Sequence, residues 1–243
     1  MNDLTPVPRL SVVVPVKNEA LNILPLVEEI ERACAPLAPF EVIYVDDGST
    51  DDTAQQVLAA RATRPWLRLL RHQSSCGQSA AVRTGVHAAR GPIIATLDGD
   101  GQNDPAFIPQ MVAALDDPAV GIVAGQRLGR KGAAKRWQSK IANGVRGRVL
   151  KDGTRDTGCG LKVFRRDVYL RLPYFDALHR FMPALVKREG FRIAHVDVVD
   201  RPRHAGQSNY GLFDRLWVGI LDLAGVWWLI RRRRRVPVAQ EIV

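Results

Sequence analysis

The sequence predicts an α/β fold built on a mostly parallel, doubly wound sheet. Short apolar runs rich in β-branched residues alternate with segments whose apolar residues recur every three or four positions. Continuous apolar runs are typical of strands buried on both faces, and the three-to-four spacing is typical of helices that pack one side on a sheet. Their alternation over residues 10–125 indicates crossover helices that join parallel strands.

Five strands and four helices account for this alternation. The strands are short and mostly apolar, and they read LSVVVPV (10–16), FEVIYV (40–45), LRLL (67–70), IIATL (93–97) and VGIVAG (120–125). The helices between them read NILPLVEEIERA (22–33), TAQQVLAARA (53–62), QSAAVRTGVHAA (78–89) and PAFIPQMVAAL (105–115). Asp104 is a suitable cap for the last helix, because Pro105 follows at its first position. In such a sheet, ligands bind beyond the carboxyl ends of the strands.

Composition narrows the classes of protein that fit. The 243 residues include 35 Lys and Arg against 25 Asp and Glu, and this net charge of +10 favours an anionic partner such as nucleic acid, phospholipid or a phosphorylated substrate. The three cysteines are odd in number and far apart, so neither a disulfide framework nor a C-x-x-C metal site is indicated. Since the first residues lack a secretory-signal pattern and no long apolar run suggests a membrane span, we expect a reducing, cytoplasmic location.

Polar side chains follow the fourth predicted strand. Asp98, Asp100 and Gln102 come directly after IIATL, at alternate positions that let them point to one side. Carboxylate and amide oxygens are hard ligands suited to Mg²⁺ or Mn²⁺, and Gly99 and Gly101 let the backbone turn closely around such a site. The alternative interpretation is a solvated aspartate turn without a ligand.

Two more polar strand ends are expected to face the same crevice. FEVIYV leads into Asp46 and Asp47, and LSVVVPV leads into Lys17, Asn18 and Glu19. Several carboxylates in one place are unfavourable unless a cation, hydrogen-bond donors or water compensates. The GSTDDT segment that follows Asp47 also fits a turn and a capped helix, which would need no ligand.

Three motifs, in their order and at their separation along the chain, give this sequence a specific family likeness. VVPVKNE (13–19), VDDGSTDDT (45–53) and LDGDGQNDP (97–105) resemble the nucleotide-sugar site of family 2 glycosyltransferases of the GT-A fold. The later segments GQR (125–127), SKIAN (139–143), DTGCGLKVFRR (156–166) and RHAGQSNYG (203–211) resemble the polyprenyl- and dolichyl-phosphate mannosyltransferase branch. The resemblance therefore does not depend on one short pattern.

The resemblance implies a domain plan for the whole chain. We expect a GT-A glycosyltransferase domain at 10–211, with a nucleotide-sugar half at 10–125 and an acceptor half at 126–211. An amphipathic helix with an arginine run would follow at 212–235, and short tails would lie at 1–9 and 236–243.

The resemblance also implies roles for individual residues. Residues implied to bind the nucleotide-sugar donor are Pro15, Asn18, Glu19, Val45, Asp46, Asp47, Asp98, Gly99 and Ser208. The implied ligands of Mg²⁺ or Mn²⁺ are Asp98, Asp100 and Gln102, and those of the acceptor phosphate are Arg127, Lys140 and Lys162. The residues implied to act in catalysis are Asp100, Arg127 and Arg203, the last of which would belong, with Ser208, to a loop that closes over the diphosphate.

Two segments depart from the family pattern. The late loop commonly reads G-x-S-K, whereas this chain reads GQSN at 206–209, so a cation is missing that Arg203 or a protonated His204 could replace. Lys162 stands where relatives commonly have an arginine. The lysine retains the positive charge but loses the planar, bidentate recognition of phosphate.

A basic stretch at 127–151 contains nine Lys and Arg residues and no Asp or Glu. Cations four positions apart would cluster on a helix, where they could help to hold two anionic substrates together. A solvated basic face and a nucleic-acid surface are the alternatives. No recognised nucleic-acid motif is present and no aromatic residue is interleaved except Trp137, so we expect no nucleic-acid partner.

The last segment, YGLFDRLWVGILDLAGVWWLIRRRRR (210–235), predicts an interfacial helix. The apolar residues at helical spacing are Leu216, Trp217, Ile220, Leu223, Ala224, Trp227 and Trp228, with Asp214 and Asp222 on another side. The stretch is too short to span a bilayer, but three tryptophans and five arginines suit the headgroup region of a membrane. The alternatives are a terminal helix packed on the domain and a docking helix for an integral-membrane partner.

Together these features imply a metal-dependent, inverting transferase that works as a peripheral protein at the cytoplasmic membrane face. It would move a sugar from a GDP- or UDP-sugar, such as GDP-mannose or UDP-glucose, to a polyprenyl phosphate. An acceptor phosphate is already ionised near neutral pH, since its second pKa is about 6, so no strong general base is required. The alternatives are transfer to a lipid or saccharide hydroxyl, with a carboxylate such as Asp156 as base, and a non-catalytic module that binds nucleotide sugars.

Overall fold

A computed structural model describes residues 6–128, 144, 146–201 and 214–232, with the backbone alone for 214–218. The strands are β1 Leu10–Val16, β2 Phe40–Asp46, β3 Leu67–Arg71, β4 Ile93–Thr96, β5 Val120–Leu128, β6 Lys162–Arg165 and β7 Arg192–Val199. The labelled helices are α1 Ile23–Cys34, α2 Thr53–Arg61, α3 Gln78–Ala88, α4 Ile108–Ala113, α5 Arg166–Leu170, α6 Leu178–Arg188 and α7 Asp214–Arg231. Residues 146–150 are also helical.

One seven-stranded sheet has the order β3-β2-β1-β4-β6-β5-β7. The strands from β3 to β4 pair in parallel, and β5 pairs in parallel with β7. The predicted mostly parallel α/β sheet and its five strands are therefore confirmed. Between β4 and β5 lies β6, which is antiparallel to both and places Lys162 opposite Thr96 and Ala124. This insertion brings the segment before β6 to the carboxyl ends of the parallel strands.

Both faces of the sheet are covered by helices. Along β1, Val12 and Val14 join a buried cluster that includes Leu26 of α1, whereas Val13 joins the opposite cluster with Val82 of α3. Successive side chains of a strand point to opposite faces, so a strand buried on both faces must be apolar throughout. This burial explains why the strand sequences show continuous apolar runs and not an alternating pattern.

The fourth predicted helix is confirmed with a modified start. The Asp104 carboxylate accepts a hydrogen bond from the backbone N–H of Ala106 at 2.9 Å, so the predicted cap is present. A short 3₁₀ turn at Pro105–Phe107 precedes α4, which is therefore shorter than the predicted segment at 105–115. The cap fixes the chain directly after the acidic loop at the end of β4.

The terminal helix α7 packs one of its sides on α6. Val226 is only 1% exposed, and Leu223 and Ile230 pack beside it against the core. The guanidinium Nε of Arg188 donates a hydrogen bond to the carbonyl of Leu229 at 3.0 Å. On this side, the alternative of a helix packed on the domain is therefore correct. Leu223 was predicted on the interfacial side but lies on the packed side.

Another side of α7 is apolar and open. Ile220, Leu221, Trp227 and Trp228 are 50%, 71%, 40% and 51% exposed. The guanidinium carbons of Arg231 and Arg232 lie 3.9 Å and 5.0 Å from the ring centroids of Trp227 and Trp228. Among the described helices, none has the length and apolar character needed to cross a bilayer. The side chain of Trp217 lies outside the described residues.

Candidate active site

The loops after β1 and β2 are joined at one edge of the sheet. The backbone N–H of Asp47 donates to the carbonyl of Val16 at 2.8 Å, and that of Asn18 donates to the Ser49 hydroxyl at 2.9 Å. In return, the Asn18 side-chain oxygen accepts from the N–H of Thr50 at 2.8 Å. Asn18 has a φ of 55°, a left-handed conformation that asparagine tolerates better than most residues. The predicted meeting of these strand ends is therefore present.

The loop after β4 passes very close to β1. A Cβ added at Gly99 would overlap the side chain of Val16 and lie 3.1 Å from the carbonyl oxygen of Pro15. Glycine is therefore required at 99 by this close approach. Of the predicted donor residues nearby, Pro15 lines a small cavity, whereas Val45 is completely buried in the core and presents no side chain to the edge of the sheet.

A cavity of about 320 Å³ lies beyond these strand ends. It is open enough for a ligand and mostly polar in its lining, which consists of Gln78, Asp98, Arg127, Asp156, Thr157, Gly158, Cys159, Gly160, His179 and Arg180. Asp98 and Arg127 line the same cavity, although they are far apart in the sequence. The cavity can therefore meet both cationic and anionic groups of a ligand.

Asp98 is one acidic group of the cavity lining, and Asp100 follows it two residues later in the same loop. Gln78 Nε2 donates a hydrogen bond to Asp98 Oδ1 at 2.7 Å, and the backbone N–H of Gln102 donates to Asp100 Oδ1 at 3.1 Å. Burial, and then the charge of Asp100, raise the pKa of Asp98 to about 6, although Lys162 and Arg127 oppose the change. A divalent cation stabilises the ionised form of a buried carboxylate that lies beside another carboxylate, so this pair fits Mg²⁺ or Mn²⁺.

The segment 156–160 crosses directly over Asp98. A Cβ added at Gly160 would overlap the Asp98 carboxylate, and the Thr96 hydroxyl donates to the Gly160 carbonyl at 2.9 Å. This contact holds the segment against the end of β4. No local pattern in the sequence marks Gly160 as a site residue, because the contact joins positions that are remote in sequence.

Arg127 is held by two carboxylates. Its Nε and Nη2 donate to the two oxygens of Asp156 at 2.5 and 2.9 Å, and its Nη1 lies 3.3 Å from Asp200 Oδ2. Burial alone would lower the pKa of Arg127, but the hydrogen bonds and charge of Asp156 outweigh it and raise this pKa. The guanidinium is therefore a permanently charged group with a fixed orientation in the cavity lining. Asp156 also accepts from the N–H of Gly158 at 3.2 Å, so its carboxylate is already engaged.

Lys162 lies beneath the cavity. Its side chain is 3% exposed, it donates hydrogen bonds to the carbonyls of Thr157 and Cys159, and burial lowers its pKa. It lines a smaller cavity that also includes Asp98 and His179. This placement supports a role in holding the 157–160 segment, and contact of Lys162 with an acceptor phosphate stays a prediction without structural support.

Asp46 and Asp47 are both held by contacts within the protein. Asp46 Oδ1 accepts from the N–H of Ser49 at 2.8 Å, and Asp46 Oδ2 pairs with Arg71 Nε at 3.1 Å. The donors to the Asp47 carboxylate, at 2.7 to 2.8 Å, are the His72 ring, the Ser75 hydroxyl and the backbone N–H groups of Cys76 and Gly77. Burial raises the pKa of Asp47, but these hydrogen bonds outweigh it and lower this pKa.

These contacts also explain a cluster of possible metal ligands. The carboxylate of Asp47, the His72 ring and the Cys76 thiol lie close enough together to suggest a metal site. Direct hydrogen bonds already account for this cluster, because the His72 ring contacts Asp47 on one side and Thr84 on the other. Contact of Asp46 and Asp47 with the donor stays a prediction, and in this structure both carboxylates shape the loop itself.

Glu19 lies at the outer end of this loop. Its backbone N–H donates to the Thr53 hydroxyl at 2.9 Å, and its carboxylate accepts from Asn22 Nδ2 at 2.5 Å. The predicted helix cap in the GSTDDT segment is present in a related form, since Asp51 accepts from the backbone N–H of Thr53 at 3.0 Å. Donor contact by Glu19 stays a prediction.

Three predicted site residues, Lys140, Arg203 and Ser208, lie outside the described residues. The chain approaches the last two through Arg201, whose backbone N–H donates to the carbonyl of Gln102 at 3.0 Å. The Arg201 guanidinium also donates to Glu29 of α1 at 3.0 and 2.7 Å. The acidic loop after β4 is thus tied to Arg201, and Arg201 is in turn tied to α1.

Two cations of the predicted basic stretch are paired and not solvated. Arg127 pairs with Asp156 and Asp200, and Arg146 forms a buried pair with Asp152. None of these three carboxylates lies within the stretch of 127–151, so the composition of the stretch did not reveal these contacts. The segments 129–143 and 145 lie outside the described residues.

Comparison with known proteins identifies relatives. The model of glycosyl transferase family 2 matches residues 11–172. A dodecaprenyl-phosphate galacturonate synthase from Rhizobium johnstonii is 37% identical over 234 residues, which covers 93% of this chain and 68% of that protein. An undecaprenyl-phosphate 4-deoxy-4-formamido-L-arabinose transferase from Pseudomonas savastanoi pv. phaseolicola is 34% identical over 209 residues, which covers 84% of this chain and 61% of that protein. The chain thus spans about two thirds of the length of these curated relatives.

Solved structures share the fold. A mannosyltransferase, PcManGT from Pyrobaculum calidifontis in complex with GDP-Man and Mn²⁺, has a TM-score of 0.68 at 24% identity and covers 96% of this chain and 66% of that chain. A glucosyl-3-phosphoglycerate synthase from Mycobacterium tuberculosis, in complex with Mn²⁺, UDP-Glc and glycerol 3-phosphate, has a TM-score of 0.67 at 19% identity. The match covers 92% of this chain and 80% of that chain. The expected GT-A fold is confirmed, and with the family match and the relatives above, this chain belongs to glycosyl transferase family 2.

Proposed function

We propose that this glycosyltransferase moves a sugar from a nucleoside diphosphate to a polyprenyl phosphate, with inversion at the anomeric carbon, at the cytoplasmic membrane face. The observation that carries the proposal is the cavity in which Asp98 lies together with Arg127. Through a bound cation, Asp98 can hold the diphosphate of the donor. Arg127 can hold an anionic acceptor. Relatives whose names include polyprenyl-phosphate products support this choice of acceptor.

The donor is proposed to bind with its diphosphate at Asp98, Asp100 and Gln102, which would hold Mg²⁺ or Mn²⁺. When bound, such a cation stabilises the negative charge that develops on the departing diphosphate. The relatives are named for galacturonate and formamido-arabinose, so they do not support the expectation of mannose or glucose. The proposed donor class is therefore a GDP- or UDP-linked pyranose, including uronic acids.

The acceptor is proposed to be its own nucleophile. A phosphate monoester oxygen is ionised near neutral pH, so it can attack the anomeric carbon opposite the departing diphosphate without a protein base. The protein must then hold two anions close together, which requires fixed positive charge. The pairing of Asp156 with Arg127 disfavours the alternative in which Asp156 acts as general base for a hydroxyl acceptor.

A donor screen tests this function. Purified protein with Mn²⁺ and a short-chain polyprenyl phosphate is incubated with GDP-mannose, UDP-glucose and UDP-galacturonate, and free nucleoside diphosphate and glycolipid are both measured. We expect nucleotide release with at least one donor only when the lipid phosphate is present. Release that is independent of lipid would indicate hydrolysis, and binding without release would favour the non-catalytic module.

Changing Arg127 to Ala is expected to impair use of the lipid phosphate more than binding of the donor. Hydrogen bonds to charged groups contribute about 1.5–3 kcal/mol, which corresponds to a rise of roughly 10-fold to 150-fold in the apparent KM for the acceptor. Arg127→Lys should recover part of this loss, because it keeps the charge without the planar fork. Steady-state kinetics and donor titration separate the two effects.

The matched control for this prediction is Arg171→Ala, because Arg171 forms an exposed ion pair with Asp167 and neither residue lines the cavity. Melting curves of all variants are required, since removal of Arg127 leaves two carboxylates without this cation. If a folded Arg127→Ala variant loses donor affinity as strongly as acceptor use, the assignment to the acceptor is wrong.

The open side of α7 is proposed to lie on the membrane surface. Exposed Trp227 and Trp228 can insert at the headgroup boundary, while the arginines at 231–235 add attraction of about 1 kcal/mol per cation near an anionic surface, reduced by salt. Such docking would keep the catalytic domain beside an acceptor that does not leave the bilayer. Docking on an integral-membrane partner is the competing explanation of the same exposed side.

Changing the five arginines at 231–235 to Gln is expected to weaken binding to anionic vesicles much more than binding to neutral vesicles. Turnover of a short, water-soluble acceptor should change little, because the arginines are remote from the reacting groups in this proposal. Vesicle co-sedimentation and both activities are measured across a salt series. Unchanged binding to anionic vesicles, or an equal loss of activity with soluble and membrane acceptors, would favour the partner-docking or structural explanation.

A further inference from the structure

The cavity contains a neutral hydrogen-bonding group that the proposed chemistry does not use. His179 lies at the start of α6 and lines both the main cavity and the smaller one beneath it, each time together with Asp98. Its Nδ1 lies 2.8 Å from the hydroxyl oxygen of Ser79 at the start of α3. The two helix starts are therefore joined at the cavity by one side-chain contact.

The hydrogen bonds of Ser79 determine which nitrogen of His179 carries the proton. The Ser79 oxygen accepts from the backbone N–H of His179 at 3.4 Å, and Ser79 is 5% exposed. A buried hydroxyl hydrogen needs an acceptor, and His179 Nδ1 is at the right distance to accept it. Nδ1 is then unprotonated, so the ring hydrogen of the neutral imidazole is on Nε2.

The imidazole is neutral under ordinary conditions. Burial, together with the positive charges of Lys162 and Arg180, lowers the pKa of His179 to about 3. A neutral N–H donor suits a hydroxyl group, whereas cationic groups suit phosphates. Arg127 and Arg180 supply cations to the same cavity lining, whereas His179 supplies a neutral donor.

The sugar of the donor is the ligand group that this position fits. In the proposed function, which this inference depends on, Asp98 belongs to the residues that hold the diphosphate end of the donor. The sugar is joined to that diphosphate through its anomeric carbon, so it must lie in the cavity that Asp98 and His179 both line. We propose that His179 donates a hydrogen bond from Nε2 to a hydroxyl of the transferred sugar, and that Ser79 is the positioning residue that selects this tautomer.

A purely structural role makes different predictions. If His179 only ties α6 to α3, its loss should lower the melting temperature and affect all ligands alike. If it contacts the sugar, its loss should reduce the extra affinity that the sugar adds to the nucleotide, and leave the affinity for the nucleotide alone unchanged.

The first experiment measures this difference by calorimetry with Mn²⁺. The probes are UDP, GDP, UDP-glucose, UDP-galacturonate and GDP-mannose, and the quantity compared is the ratio of Kd for nucleotide to Kd for its nucleotide sugar. For the preferred sugar we expect His179→Leu to reduce this ratio by about 5-fold to 10-fold, as for the loss of one hydrogen bond. His179→Gln keeps an N–H donor of similar reach and should recover part of the ratio.

Deoxy analogues of the preferred nucleotide sugar identify the hydroxyl. Removal of the contacted hydroxyl and the His179→Leu change should not be additive, because each removes the same hydrogen bond. Removal of the other hydroxyls should be additive with His179→Leu. Additivity at every hydroxyl would overturn the proposed contact.

The tautomer has its own readout, independent of turnover. Long-range ¹H–¹⁵N spectra of the histidine rings should show the Nε2–H form for the signal that His179→Gln removes. In Ser79→Ala that signal should shift toward a mixture of tautomers, and the sugar ratio should fall by less than in His179→Leu. An Nδ1–H form in the unchanged protein would overturn the inference.

The outcomes also separate this inference from the proposed function. A protein that transfers sugar to lipid phosphate but keeps its sugar ratio in His179→Leu would retain the function and lose the inference. A protein that binds none of the five probes would lose both, and one whose sugars add no affinity to the nucleotide would lose the inference.

Discussion

Replacing Asp100 with Asn is expected to lower sugar transfer by about 100-fold or more while the fold is retained. The change keeps the size of the side chain but removes one of two neighbouring carboxylates proposed to hold the cation. The backbone N–H of Gln102, which donates to Asp100 Oδ1, can still be satisfied by the amide oxygen of Asn. Transfer rates at limiting and saturating Mn²⁺, together with Mn²⁺ affinity, measure the effect.

A second readout of the same variant needs no activity. Because the charge of Asp100 contributes, after burial, to the raised pKa of Asp98, its removal should lower that pKa in the metal-free protein. Asp116→Asn is a suitable control, since Asp116 is exposed after α4. Wild-type turnover of Asp100→Asn at limiting Mn²⁺ would show that the carboxylate is not a metal ligand.

Replacing Gly160 with Ala is expected to reduce transfer on the order of 100-fold through displacement of Asp98, because misplacement of about 1 Å at a reacting site has effects of this size. The added Cβ would overlap the Asp98 carboxylate, and the Thr96 hydroxyl restrains the 156–160 segment from moving away. Mn²⁺ affinity should fall as well. Transfer rate, Mn²⁺ titration and melting temperature are measured together.

Gly147→Ala is the matched control for this change, because an added Cβ at Gly147 meets no atom within 4 Å. It should preserve both activity and Mn²⁺ affinity. A Gly160→Ala variant with normal activity would mean that the segment over Asp98 can shift without moving the carboxylate, and the proposed geometry would then be wrong.

The secondary structure of the nucleotide-sugar half was predictable because each element carries its own local pattern. The strands β1 and β2 are apolar over most of their length since both faces are buried, and Asp104 signals the start of a helix through its own side chain. The acidic strand ends were predictable for the same reason, since Asp98 and Asp100 follow the strand directly. Each of these features depends only on residues that are close together in the sequence.

The second half carried weaker local signals. The strand β6 is only four residues long, and its place between β4 and β5 depends on pairing with two strands that precede it by tens of residues. Its antiparallel direction brings Gly160 over Asp98, a contact that no spacing in the sequence shows. Of the residues lining the cavity, Gln78, Thr157, His179 and Arg180 were not predicted, because each is a single polar residue within or beside an ordinary element.

By itself the sequence determined the α/β class, the order of the elements up to β5, the position of the acidic loop and, through its motifs, the family. Only the tertiary structure decided which charges meet: Arg127 with Asp156 and Asp200, and Lys162 beneath the cavity. The physical reason is the range of the interactions. Periodicity, caps and strand ends arise between residues close in the chain, whereas a cavity forms where remote segments pack, and burial there sets which polar groups must pair.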